Sequence, residues 1–151
     1  MIVRMISFGS KDKYVRMIME YPEVDEKYYE EDMMNNLEIS DDGGICDGYC
    51  HHHDCTHLLI EGKSKRHISK AISQLKNTAQ QLISKGKKID RAIIICEKIS
   101  RNERRLYFRD KKNKLCKNYG NIAPVYLLGK IEILLIFKKE MSVVGVSCLF
   151  G

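Results

Sequence analysis

The sequence predicts an α/β fold with a mixed central sheet and flanking helices, and three neighbouring segments carry this prediction. Residues 56–62 are a short predicted strand, because apolar and polar side chains alternate along part of it. Residues 64–85 place apolar residues three and four apart, which is the pattern of an amphipathic helix. Residues 92–96 are a continuous apolar, mostly β-branched run, which is typical of a buried strand. A strand, a helix and a strand in this order form the crossover unit of α/β sheets.

Length and composition fit one folded domain spanning residues 1–151. The hydrophobic fraction of 44% and the charged fraction of 30% exclude a disordered chain. No uncharged apolar run is long enough to predict a transmembrane helix, and the first residues lack the apolar centre of a signal peptide. We therefore expect an intracellular, cytoplasmic protein whose six Cys are thiols or metal ligands more often than disulfides. Abundant Lys, Ile and Glu with few Gln are typical of proteins from hot environments.

The segments before the crossover unit contain further predicted elements. Residues 1–8 alternate loosely and fit an edge strand, whereas residues 13–21 fit either a strand or a short helix that ends at Pro22. Residues 23–36 have aromatic and apolar side chains near helical spacing, so we expect a helix there. The Asp-Asp-Gly-Gly sequence at 41–44 is a turn signal.

Two segments then lead into the strand at 56–62. Residues 45–49 fit a returning strand, and residues 50–55 fit a polar loop rich in His. In the strand itself, Leu58 and Ile60 fall on one face. The other face carries His57, Leu59, Glu61 and Lys63.

The long helix has the clearest pattern in the chain. Ser64 can cap its N-terminus, and Gly86 follows its last residues. Its predicted buried stripe consists of Ile68, Ala71, Ile72, Leu75, Ala79, Leu82 and Ile83.

The C-terminal third is predicted to be a basic, β-rich extension covering residues 98–151. Residues 98–117 fit a basic hairpin with its tip near residues 111–114. Residues 125–128, 131–137 and 143–149 fit further strands, or in part a helix.

Charge is divided unequally along the chain. Residues 1–62 carry 5 Lys and Arg against 14 Asp and Glu, whereas residues 63–151 carry 21 against 6, and the net charge is +6. An acidic half joined to a basic half fits a metal-binding face beside a phosphate-binding face. The alternatives are two surfaces that attract each other, or a simple contribution to solubility.

The basic residues predict nucleic acid as the partner, and the site described next favours DNA. Lysine and arginine neutralise phosphates, and interleaved aromatic residues such as Tyr107 and Phe108 can stack on bases. The alternative is a solvated hairpin face. The candidate nucleic-acid-binding residues are Lys65, Arg66, Arg101, Arg104, Arg105, Arg109, Lys111, Lys112 and Lys114.

Two carboxylates and a lysine form the candidate catalytic site. Asp47 lies on one predicted strand, and Glu61-Gly62-Lys63 ends the next, so a hairpin can bring the two carboxylates together. Such a pair suits Mg²⁺ or Mn²⁺, since hard cations prefer oxygen ligands. Lys63 shares the face of Glu61 and can orient or deprotonate a water, or stabilise charge on a phosphate. The alternative is an ordinary ion pair at a solvated strand end.

These residues resemble the PD-(D/E)XK (restriction-endonuclease-like) nuclease superfamily. The match consists of Asp47, then Glu61-Gly62-Lys63 after three apolar residues, then Gln74 on the following helix and the strand at 92–95. It covers about residues 23–97, roughly half the chain, in the family's order of helix, three-stranded meander, helix and strand. Cys46 stands where the family motif has a proline. Asp42 and Asp54 compete with Asp47 for the first acidic position.

The resemblance implies metal-dependent hydrolysis of DNA phosphodiester bonds. Asp47, Glu61 and the carbonyl of Gly62 would hold Mg²⁺ or Mn²⁺, Lys63 would serve the attacking water, and Gln74 would be a positioning residue. Some members add a glutamate from the first helix, for which Glu30 and Glu31 are both candidates. Many small nucleases of this class form homodimers, so a second copy is a candidate partner.

A cluster of Cys and His residues lies between the two acidic positions. Cys46, Cys50, Cys55 and His57 have the spacing C-x3-C-x4-C-x-H and are candidate ligands for zinc. A disulfide within the cluster and a loop without any ligand are the alternatives. The rival function is accordingly a non-catalytic, zinc-stabilised nucleic-acid-binding protein. A structural or protein-interaction domain is the third class.

Overall fold

The computed structural model describes residues 12–52, 56–63, 68–103, 125–126, 129, 131–141 and 145–150. The elements in chain order are α1 (Lys13–Met19), β1 (Val24–Tyr29), α2 (Glu30–Asn36), β2 (Gly48–His52), β3 (His57–Lys63), α3 (Ile68–Ser84), β4 (Arg91–Cys96), β5 (Val125–Tyr126), β6 (Glu132–Phe137), a 3-10 turn (Lys138–Glu140) and α4 (Val146–Phe150).

The strands form one mixed sheet in the order β1-β2-β3-β4-β6-β5. The first three strands are antiparallel neighbours, whereas β3, β4 and β6 run parallel, and β5 is antiparallel to β6. The parallel pairing of β3 with β4 around α3 confirms the predicted crossover unit. The α/β class and the mixed sheet are therefore confirmed.

Helices cover both faces of the sheet, and each face has its own core. On one face α3 packs against Leu59, Ile94 and Leu135. On the other face Val15 and Ile18 of α1 join the opposite side chains of the same strands. Because both faces are covered, the central strands are apolar at nearly every position, as parallel strands in a buried sheet usually are.

The predicted helix over residues 23–36 is wrong in its first half. Residues Val24–Tyr29 form the edge strand β1, and only Glu30–Asn36 are helical. Lys27 pairs with Cys50 across β1 and β2. The ring of Tyr28 stacks on that of Tyr49, with centroids 6.0 Å apart. These cross-strand contacts outweigh the helical spacing of the segment.

Several other boundaries differ from the predictions. Residues 13–21 contain a helix, α1, whose N-terminus is capped by Asp12 through the amide of Tyr14. The returning strand predicted at 45–49 lies at Gly48–His52, so residues 50–52 belong to a strand and not to the polar loop. Part of the segment 143–149, which fits a strand or a helix, is helical as α4.

The helix α3 confirms the predicted apolar stripe with one exception. Ile68, Leu75 and Leu82 are fully buried, whereas Ile83 is 42% exposed. The strand predicted at 1–8 and the hairpin tip at 111–114 lie outside the described residues. Within the described residues, no helix has both the length and the apolarity needed to cross a membrane.

Candidate active site

The two predicted acidic residues meet at one end of the β2–β3 pair. Asp47 directly precedes β2, and Glu61 lies near the end of β3, so antiparallel pairing brings them to the same edge. The Asp47 amide donates to Glu61 Oε1 at 3.0 Å. In return the Gly62 amide donates to Asp47 Oδ2 at 2.9 Å. Each carboxylate is therefore held by the main chain beside the other one.

Lys63 completes this arrangement as the sequence predicts. Its Nζ lies 2.9 Å from Glu61 Oε2, and the two side chains are only 16% and 3% exposed. Little water reaches the pair, so it differs from an exposed ion pair, which contributes little to the stability of a protein. Both oxygens of Glu61 consequently have a protein donor.

Burial makes both carboxyl groups weaker acids than usual, because it raises their pKa values. Loss of solvation raises the pKa of Asp47 to about 6, although the Gly62 amide and Lys63 pull it down. Burial, and then the charge of Asp47, raise the pKa of Glu61 to about 8 against the opposing effect of Lys63. Paired carboxyls that resist ionisation together are a recurrent feature of functional sites, and a bound cation would favour their charged forms.

Two further carboxylates face this pair. The charges of Glu30, at the start of α2, and of Asp12, at the start of α1, both raise the pKa of Asp47. Asp12 also forms an ion pair with Lys138, with Oδ2 and Nζ 2.8 Å apart. Of the two glutamates that the resemblance offered, Glu30 is the one that acts on Asp47, whereas Glu31 is exposed.

Asp12 and Lys138 are neighbours of the site that the sequence patterns did not predict. Asp12 had a signal, since an aspartate before a short apolar segment is a common helix N-cap. Lys138 had none, because it reaches the site only through the pairing of β6 with β4. Packing is tight at Gly62, where a Cβ would lie 3.0 Å from Val15 Cγ2 and 3.1 Å from Asp12 Cβ, so that a neighbour would have to shift.

Gln74 lies on α3 beside the loop that leads to Asp47. A Cβ placed on Gly44 would lie 2.6 Å from Gln74 Cγ, so the two residues are in close contact. Gly44 itself has a φ of +92°, a conformation that favours glycine. Gln74 Oε1 is buried without a hydrogen-bond partner among the described residues. The structure thus brings Gln74 to the loop before the site, with an acceptor atom unused.

Of the two other candidates for the first acidic position, the one that is described, Asp42, does not reach Glu61. Asp42 is exposed in the turn at 41–44, where its amide donates to Ser40 Oγ. Asp54 lies outside the described residues. Of the described acidic candidates, Asp47 is the one that shares hydrogen bonds with Glu61 and Gly62.

The proposed zinc ligands are not brought together where they are described. Cys46 belongs to the core on the α3 face, whereas Cys50 belongs to the core on the opposite face, so the sheet separates them. Both are free, buried thiols, and burial raises the pKa of Cys50 to about 12. His57 stacks on His51, with centroids 4.0 Å apart. Cys55 lies outside the described residues.

The described part of the chain contains no cluster of three or more His, Cys, Asp or Glu residues arranged to hold a metal ion. Asp47 and Glu61 are only two such side chains, so an ion at this edge would need main-chain or water oxygens as well.

Most of the predicted nucleic-acid-binding residues lie outside the described ranges. These are Lys65, Arg66, Arg104, Arg105, Arg109, Lys111, Lys112 and Lys114. Arg101 is described and is exposed in a helical turn at residues 101–103. A neighbour in that turn, Glu103, accepts a hydrogen bond from the Ile68 amide at the start of α3, at 2.8 Å.

No protein-family model, curated protein or solved structure matches the chain. The interpretation of the site therefore depends on the geometry and chemistry of this chain's own residues.

Proposed function

We propose that this protein is a metal-dependent nuclease that hydrolyses DNA phosphodiester bonds. The observation that carries the proposal is the reciprocal contact between Asp47 and Glu61, with Lys63 at 2.9 Å from Glu61. Two carboxylates can hold a hard cation, and a lysine beside them can serve the attacking water or the phosphate; metal-assisted phosphodiester hydrolysis uses these roles.

The residues fit Mg²⁺ or Mn²⁺ by the chemistry of their donors. Asp47 and Glu61 would hold the ion together with the carbonyl oxygen of Gly62, and oxygen donors are what these cations prefer. The ion, when bound, supplies a more acidic water and polarises the phosphodiester. Lys63 would orient that water or neutralise charge on the phosphate. Glu30 and Asp12 add negative potential that favours a cation.

The order of elements also supports the proposal. The chain runs from α1 through the antiparallel strands β1, β2 and β3 to α3 and the parallel strand β4. This is the order of helix, meander, helix and strand that the PD-(D/E)XK resemblance implies. In this alignment α1, and not the helix expected at residues 23–36, takes the place of the first helix. The helix α2, which carries Glu30, is then an insertion between β1 and β2.

The test is a cleavage assay with supercoiled plasmid, linear duplex and single-stranded DNA, each with Mn²⁺, Mg²⁺ or EDTA. Wild type is compared with Glu61→Gln and with Glu23→Gln as the matched control, because Glu23 is 63% exposed and contacts His52 instead. We expect cleavage that needs the metal, falls at least about 100-fold in Glu61→Gln, and is unchanged in Glu23→Gln.

DNA binding in EDTA separates the rival functions. For a nuclease, Glu61→Gln keeps DNA affinity, and the affinity falls steeply with salt. A folded wild type that binds DNA in a salt-dependent way but cuts no substrate would instead be a non-catalytic binding protein. Absence of both cutting and binding at low salt would favour a structural or protein-interaction domain.

A further inference from the structure

The helix α3 presents a row of polar side chains to the loop that precedes Asp47. Gln74, Asn77, Thr78 and Gln81 are spaced at i, i+3, i+4 and i+7, so they lie along one side of the helix. Gln81 exchanges two hydrogen bonds with the main chain of Ser40, at 2.7 and 2.9 Å. These contacts fasten the start of the loop to α3.

The same row fastens the end of the loop. Asn77 Nδ2 donates to the carbonyl of Gly44 at 2.7 Å. Thr78 Oγ1 accepts from the Cys46 amide at 3.0 Å and donates to the carbonyl of Gln74 at 2.8 Å. Because a hydroxyl both donates and accepts, Thr78 joins the loop to the helix main chain with a single group.

Thr78 differs from the other buried residues of α3. It is fully buried, and all the other buried positions of the helix are Ile, Leu or Ala. A hydroxyl on an apolar stripe needs partners, and Thr78 has two. Thr78 accepts its hydrogen bond from the amide of Cys46, the residue directly before Asp47. The Asp47 amide in turn donates to Glu61. Two successive amides are therefore fixed, that of Cys46 by Thr78 and that of Asp47 by Glu61.

We propose that Thr78 is a positioning residue, which holds the Asp47 carboxylate against Glu61 by fixing the main chain at Cys46. This inference deepens the proposed nuclease function and rests on it for its purpose, whereas the contact itself is independent of any metal. The substitution Thr78→Val would keep nearly the same side-chain volume without the hydroxyl, so the Cys46 amide would lose its hydrogen-bond acceptor. Serine would keep the hydroxyl and lose only a methyl group.

Hydrogen exchange, measured by NMR on the metal-free protein, tests the positioning role directly. The Asp47 and Gly62 amides report on the reciprocal contact, and the Ile94 amide in β4 reports on the sheet as a whole. We expect Thr78→Val to speed exchange at Asp47 and Gly62 at least about 10-fold more than at Ile94. Thr78→Ser should leave the ratio unchanged. Leu82→Val, one turn further along α3, controls for loss of core packing and should leave it unchanged as well.

The proposal is overturned if Thr78→Val changes the exchange rates of all three amides by the same factor. It is also overturned if Thr78→Ser speeds exchange at Asp47 and Gly62 as much as Thr78→Val does. Should the valine variant fail to fold, Thr78→Ala removes the same hydroxyl with a smaller side chain.

A second measurement separates this result from the fate of the proposed function. Calorimetric titration with Mn²⁺ compares wild type with Thr78→Val, Thr78→Ser and Glu61→Gln. We expect about 10-fold weaker binding in Thr78→Val, as for other residues that orient a metal ligand, and near wild-type binding in Thr78→Ser. If wild type and Glu61→Gln take up Mn²⁺ equally, the nuclease proposal fails, while the exchange ratios still decide whether Thr78 positions Asp47.

Discussion

The sharpest prediction concerns the stability of the metal-free protein as the pH rises. The perturbation is Glu61→Gln, which replaces a carboxyl group of raised pKa by a neutral side chain of nearly the same shape. Glu61 is 2% exposed, so water does little to relieve its charge. Burial and the neighbouring Asp47 raise its pKa from an ordinary 4.5 to about 8.

The raised pKa of Glu61 decides whether the protein gains or loses stability as the pH rises. A carboxyl group that is harder to ionise in the folded state contributes its full stability below pH 4.5, and this stability is lost as the pH rises toward 8. Each pKa unit corresponds to about 1.4 kcal/mol, so the whole shift corresponds to roughly 5 kcal/mol. The pKa of Asp47 is about 6, so most of the stability that depends on the protonation of Asp47 is lost below pH 6. Between pH 6 and 8, Glu61 alone should remove about 2 kcal/mol.

The assay is urea denaturation in EDTA at several pH values from 5 to 8, for wild type and Glu61→Gln. We expect the free energy of unfolding of wild type to fall relative to the variant by about 2 kcal/mol between pH 6 and 8. Groups common to both proteins, such as His57, cancel in this difference. Mn²⁺ should reduce the fall in wild type only. A constant difference across this range would refute the reasoning that the site holds a proton in the absence of metal.

Three further predictions test the surroundings of the site. Glu103→Gln should destabilise the protein by about 1 kcal/mol in thermal unfolding, because the carboxylate caps α3. That difference should shrink as the pH falls through its pKa, which hydrogen bonds lower despite burial. Gly44→Ala should lower the free energy of unfolding, measured in urea, by at least about 1 kcal/mol more than Gly86→Ala. Both glycines have a positive φ, but of the two only Gly44 would place the added Cβ 2.6 Å from Gln74 Cγ. Equal losses would contradict the close contact. Cys50 is fully buried and should stay unmodified by a thiol reagent, read by mass spectrometry, until the protein unfolds.

The central crossover unit could be predicted because its sequence patterns are long and agree with its environment. The stripe of α3 repeats over more than four turns, and β4 is apolar on both faces because helices cover both. The edge strand β1 could not be predicted in the same way. Asp25, Glu26 and Lys27 are all exposed, and an edge strand with charged residues shows no alternation that would distinguish it from a surface helix.

The site was predictable only where neighbouring segments build it. Asp47 directly precedes β2, and Glu61 lies 14 residues further on in the adjacent strand β3, so a hairpin prediction alone brings them together. Asp12 and Lys138 come from opposite ends of the chain and meet through tertiary packing. Thr78 gave no signal either, because a threonine on an apolar stripe can as well bond to its own helix. Its role depends on which loop lies across the helix.

The buried charges themselves argue for a function at this edge. Removing carboxylates from water destabilises a fold, and an ion pair such as Glu61–Lys63 seldom stabilises a protein more than well-packed apolar side chains would. The raised pKa values of Asp47 and Glu61 show that the pairing leaves part of this cost unrelieved. A domain that served only as a scaffold would gain stability from apolar residues at these positions. A site that binds a hard cation needs the carboxylates, and departures from the rules of burial are expected at such sites.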